Sequence, residues 1–139
     1  TWMTRSHDSP VFVDTSAILP ILHRGDHDHR RCHESVEKLR AQAAPLLTSS
    51  YVIHESVALL QSRFGLEAVK QFEWAFMPAL KVVWVDGSLH ARGMASLLSA
   101  QRRNVSLTDW ISFKIMEDEG IRSALALDNH FKEQGFELV

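Results

Sequence analysis

The 139 residues are 45% hydrophobic and 23% charged, a globular composition that fills one core and is too short for two domains. The formal charge of -2 excludes a global basic field, so any nucleic-acid binding rests on local groups. A lone Cys32 excludes an internal disulfide and Cys-pair metal motifs, which fits a reducing, cytoplasmic setting.

Thr1 and Trp2 precede Met3, read as the native start of a single domain over 3–139, and Thr1 to Pro10 lacks the apolar centre of a secretory leader. No apolar run approaches the roughly 20 residues of a membrane span, so no membrane partner is expected. Val11-Phe12-Val13 reads as a buried strand that delivers Asp14 to the sheet rim, followed by the hydroxyls of Thr15 and Ser16. Thr15 to Leu22 reads as a short helix broken or ended near Pro20. After the polar loop at Gly25 to Asp28, Cys32, Val36 and Leu39 recur at helical spacing, predicting an amphipathic helix to Gln42 with Asp28 as its cap.

Pro45 to Thr48 is the second predicted strand, and Ser49-Ser50 offer cap hydroxyls for a helix from Tyr51 to Arg63, stopped at Gly65. Glu55 falls in its first two turns, near the rim that carries Asp14. Leu66 to Met77 reads as one further helix ending at Pro78, with Phe72, Trp74 and Phe76 as core or partner surface. Lys81 to Val85 is the third strand, and Asp86-Gly87-Ser88 turns into a helix from Leu89 to Arg102 with Asn104 as a left-handed C-cap. Ser106 or Thr108 caps a helix over Trp110 to Glu119, which puts Asp109 at a helix N-terminus. Ala124 to Leu127 is the fourth strand, ended by Asp128, and Phe136 to Val139 adds a short fifth at the edge.

Strands alternating with helical crossovers predict an α/β fold, a three-layer α/β/α sandwich around a central, mostly parallel sheet of four to five strands. Asp14 and Asp128 end strands, while Glu55 and Asp109 open helices on the same side, so the four acids can converge. Converging carboxylates raise one another's pKa and call for a cation, and oxygen ligands without thiolate point to Mg²⁺ or Mn²⁺. Relief of that repulsion predicts that Asp109→Asn stabilises the metal-free protein. Taken singly, each acid also reads as a cap, a turn or a solvated group; their joint placement carries the argument.

Val13-Asp14-Thr15-Ser16-Ala17, Ile53-His54-Glu55-Ser56, Ser106-Leu107-Thr108-Asp109 and Leu127-Asp128-Asn129-His130-Phe131 together resemble the PIN-domain family, especially its VapC-type toxin ribonucleases. The resemblance spans Val11 to Val139, in the family's order. It implies a PIN-like fold, a Mg²⁺- or Mn²⁺-dependent endoribonuclease, and Asp14, Glu55, Asp109 and Asp128 as catalytic and metal-holding acids. Thr15 or Ser16 is then the hydroxyl beside the first acid, and Thr108 a supporting polar group. One departure stands out: Ala126 occupies a position two residues before the last acid where family members often carry Thr or Ser.

The reading that follows is metal-assisted hydrolysis of RNA, with Arg102 and Arg103 as the first candidates to hold its backbone and Arg30, Arg31 and Lys132 behind them. The resemblance further implies a homodimer and a small antitoxin lying over the active-site groove, with Trp74, Phe76, Met77 and Trp110 available for contacts, though each reads first as core. Alternatives within the family are an RNA-processing nuclease outside a toxin system and a catalytically impaired RNA- or partner-binding module. Among the histidines, His29 and His33 have zinc-ligand spacing but no completing acid or cysteine motif. An aspartyl phosphotransferase wants an acid where Ser16 stands, and a receiver-like signalling domain matches only at Asp86. No Gly-x-Ser-x-Gly elbow supports a serine hydrolase.

Overall fold

The computed structural model describes residues 9–139, so Met3 and the segment around it lie outside the described residues. Five strands, β1 (Val11–Val13), β2 (Leu46–Ser49), β3 (Leu80–Val83), β4 (Ser123–Leu125) and β5 (Glu137–Leu138), form one sheet in the order β3-β2-β1-β4-β5. Every pairing is parallel, β5 included, so "mostly parallel" becomes wholly parallel. β1 is central and buried along its length, because a parallel sheet needs cover on both faces.

Among the described residues, seven α-helices provide that cover: α1 (Thr15–Leu22), α2 (His29–Ala41), α3 (Ser50–Phe64), α4 (Leu66–Gln71), α5 (Gly87–Ala100), α6 (Leu107–Glu119) and α7 (His130–Glu133). Right-handed crossovers put α1 to α4 on one face and α5 to α7 on the other, and the helix packing follows that division. The two sets meet where α3 touches α6. Phe12, Ile18, Leu60, Phe72, Ile111, Ile115 and Phe131 are among the side chains closed off in the resulting core.

Several local expectations shift. α1 spans Thr15–Leu22 as read: Pro20 lies inside it unbroken, and the helix ends two residues later, where the His23 amide closes it on the Leu19 carbonyl at 3.1 Å. Asp28 stands at the N-cap of α2 but makes no side-chain cap bond there. The predicted helix over Leu66 to Met77 divides into α4, a π-helical turn Phe72–Phe76 and a 3-10 turn Met77–Ala79. Phe72 and Phe76 still point inward, edge to face at 6.1 Å, whereas Trp74 is 72% exposed, so the core expectation for Trp74 is corrected. Among the others, Trp110 is half-buried with its Nε1 unpartnered. The left-handed residue that ends α5 is Gln101 at φ 55, not Asn104.

Topology positions the site. From β1 the chain moves to β2 and β3 on one side, and from β4 to β5 on the other. The crevice between the C-terminal ends of β1 and β4 is therefore a topological switch point, where open α/β sheets bind ligands.

Candidate active site

Asp14 leaves β1 at that crevice and caps α1. Its Oδ2 accepts the Ser16 backbone N–H at 3.1 Å and the Ser16 hydroxyl at 2.7 Å. Ser16 Oγ in turn accepts the Leu127 N–H at 2.9 Å, so one hydroxyl ties the first acid to the chain that carries the last. The Asp14 N–H also bonds the Leu125 carbonyl at 3.0 Å. Of the two hydroxyls left open by the sequence, Ser16 is the one that holds Asp14. Thr15 instead turns to α3, with Oγ1 3.1 Å from the buried Ser56 Oγ and 3.4 Å from the Val52 carbonyl.

α3 begins because the Ser49 hydroxyl accepts the Val52 N–H, and it carries Glu55 half-buried toward the same crevice. α6 begins with a capping box: Ser106 Oγ accepts the Asp109 N–H, and Asp109 Oδ2 accepts the Ser106 N–H, both at 3.1 Å. This settles Ser106 rather than Thr108 as the cap. The Asp109 carboxylate is buried, and the His130 ring nitrogen Nδ1 lies 3.1 Å from its Oδ2 and 3.7 Å from Asp128 Oδ1. Asp128 Oδ1 also receives the His130 N–H at 3.1 Å, in the turn that opens α7.

Asp14, Glu55, Asp109 and Asp128 thus line one cleft of about 560 Å³. Ser16 and Thr15 line it too, whereas Thr108 lines a neighbouring apolar groove shared with Glu55 and Trp84. Arg102 is held by Glu133 at 3.1 Å, and neither it nor Arg103 lines the cleft. Three charged cleft residues escaped the sequence reading: Asp26 and Asp28, on the loop before α2, and Arg63, in the last turn of α3. Spacing gave only a weak signal for them; Glu55, Leu59 and Arg63 do form an i, i+4, i+8 row on one helix. The expected hydroxyl at Ala126 is absent, and the hydroxyl beside the Leu127 amide is that of Ser16.

The family model for the PIN domain matches residues 11–137. The chain belongs to the PIN-domain family. It is 30% identical over 128 residues to the 23S rRNA-specific endonuclease VapC20 of Mycobacterium tuberculosis, a match covering 91% of this chain and 95% of that one. The crystal structure of VapC20, described as a sarcin-ricin loop cleaving toxin, superposes with a TM-score of 0.78 over the same shares. FitAcB from Neisseria gonorrhoeae shares the fold at 12% identity, with a TM-score of 0.66 over 92% of this chain and 95% of that one.

Electrostatics in this PIN domain sharpen the point. Burial, and then the nearby Asp109 and Asp128 carboxylates, push Asp14 up to about 7 against the pull of its Ser16 bonds. Burial chiefly, with Asp109 next, also raises Asp128; burial, then Asp109 and Asp128, raises Glu55. Acids that resist ionisation while packed together form a site that gains from a cation. One ligand atom each from Asp109, Asp128 and His130 lies within 4.8 Å of the others, which suits a shared ion. Cys32 is buried beside a different cavity, so the groups that line this cleft are mainly carboxylates, whose oxygens suit a hard divalent metal.

Proposed function

We propose that this chain is a Mg²⁺- or Mn²⁺-dependent endoribonuclease, the toxin of a VapBC-type toxin–antitoxin pair. The single observation that supports it most is the meeting of Asp14, Glu55, Asp109 and Asp128 in one cleft at the switch point of a PIN fold. Asp14 and Asp109 would hold the principal ion, with Glu55 and Asp128 beside it. Bound there, it would supply Lewis acidity toward the phosphoryl group and lower the pKa of water.

The chain's own groups prepare that event. Asp14 must surrender a proton before it can ligate, and the Ser16 hydroxyl and amide hold its Oδ2 in place meanwhile. His130 orients Asp109 through its ring Nδ1 and Asp128 through its backbone N–H. Thr15 fixes α3, and with it Glu55, by its contacts to Ser56 and Val52. Thr108 shapes the groove next to Glu55. Arg102 and Arg103, beyond the cleft, steer the RNA backbone toward it.

The closest chemistry to assay first is cleavage of 23S rRNA, the substrate in VapC20's name. The protein acts in the cytoplasm as a homodimer and is silenced by a small antitoxin. Growth arrest on expression, relieved by a co-expressed small partner, separates a toxin from a processing nuclease. The decisive assay compares RNA cleavage by wild type and Asp14→Asn with Mn²⁺, Mg²⁺ or EDTA. Cleavage is expected only from wild type with a metal; equal cleavage by the variant, or cleavage that survives EDTA, overturns the reading.

A further inference from the structure

An acidic cleft repels the polyanion it is meant to cut. The ion relieves this at the scissile phosphate, but a neighbouring phosphate needs a cation of its own. Among the described residues, Arg63 is the only Lys or Arg that lines the cleft. It is exposed, and none of the ion pairs among the described residues engages it. Asp26 and Asp28 also line the cleft, but the basic side chains within 4.0 Å of them are those of His27 and Arg31.

Arg63 sits on the same helix as Glu55, two steps along the i, i+4 row that runs through Leu59, and all three residues face the cleft. Eight residues of helix span about 12 Å. That separation puts the guanidinium beyond the acids yet within reach of the same strand of nucleic acid. Its planar fork of N–H donors matches two phosphate oxygens at once, which an ammonium cannot do.

We propose that Arg63 is a substrate-binding residue that grips a backbone phosphate flanking the scissile one, setting the register of RNA in the cleft. This rests on the ribonuclease reading above. The competing role is local: a cation in the last turn of α3 complements the helix dipole without touching substrate.

The test measures binding and cleavage of a fluorescein-labelled hairpin RNA with the sarcin-ricin loop sequence, in Mn²⁺, over a salt series. Arg63→Gln is expected to raise KM and Kd by about 10-fold with kcat within about twofold, and to flatten log Kd against log salt by about 0.7 to 1. Arg63→Lys recovers the salt slope and part of the affinity. Arg40→Gln, which removes the same charge at the far end of α2, leaves KM, Kd and the salt slope unchanged. Unchanged KM, Kd and salt slope in an Arg63→Gln protein that still cleaves, with or without a lower melting temperature, overturns the proposal while sparing the nuclease reading. Wild-type cleavage that survives EDTA overturns the nuclease reading and this proposal with it.

Discussion

At the scale of single residues, Asp14 is where the site and the stability of the fold oppose each other. Its folded pKa of about 7 lies above its ordinary 3.8, so the folded protein binds more protons than the unfolded one between those values. Stability of the metal-free protein is therefore fullest at the acidic end of that interval and falls as pH rises toward and through 7. Urea denaturation of the EDTA-treated protein should show lower stability at pH ~8 than at pH ~5.5, with a difference on the order of a few kcal/mol at most. Asp14→Asn keeps an acceptor for Ser16 and removes the buried charge, so it should raise the metal-free melting temperature at neutral pH while abolishing cleavage. Asp109→Asn, expected from repulsion alone to stabilise, loses a charge from a capping box and from His130, and calorimetry should show no comparable gain. The acids were legible in the sequence because each follows a recognisable strand end or cap. Arg63 was not, since an arginine on a polar helix face carries no sign of the cleft until α1, α3 and the loop before α2 are assembled.

At the scale of elements, two contacts hold the site together. The Ser16 hydroxyl bridges Asp14 and the Leu127 amide, joining the start of α1 to the chain after β4. Ser16→Ala leaves that amide without its partner and should cost about 1 to 3 kcal/mol in a urea titration, with a loss of cleavage larger than the stability loss explains. Elsewhere α5 crosses α6 at Gly93, where an added Cβ would lie 2.4 Å from Ile111 Cδ1 and 3.3 Å from Leu107 Cδ1. Ile111 is buried and cannot step aside freely, so Gly93→Ala should destabilise by roughly 1 kcal/mol net, overpacking outweighing the gain in helix propensity. Elements whose ends are written in caps, such as Ser49, Ser106 and Gly120, were legible within a residue or two. Those set by tertiary packing were not: the single helix read over Leu66 to Met77 gives way to a π turn at Phe72–Phe76, where Phe72 and Phe76 are buried.

At the scale of the whole molecule, the sheet order explains why acids from Asp14 to Asp128 meet. Strand–helix alternation announced a parallel sheet, but the order β3-β2-β1-β4-β5 depends on crossovers that no local pattern encodes. The one reversal in that order lies between β1 and β4, so the first and last acids face each other across it, and α3 and α6 bring Glu55 and Asp109 in from opposite layers. Convergence into a single ion site is tested most directly by titrating Mn²⁺ calorimetrically into wild type and Asp14→Asn at pH ~6 and pH ~8. Tighter binding by wild type at the higher pH, with a loss of about 10-fold or more in the variant, is the expected result. Equal affinity of the two proteins, or affinity indifferent to pH, would contradict it.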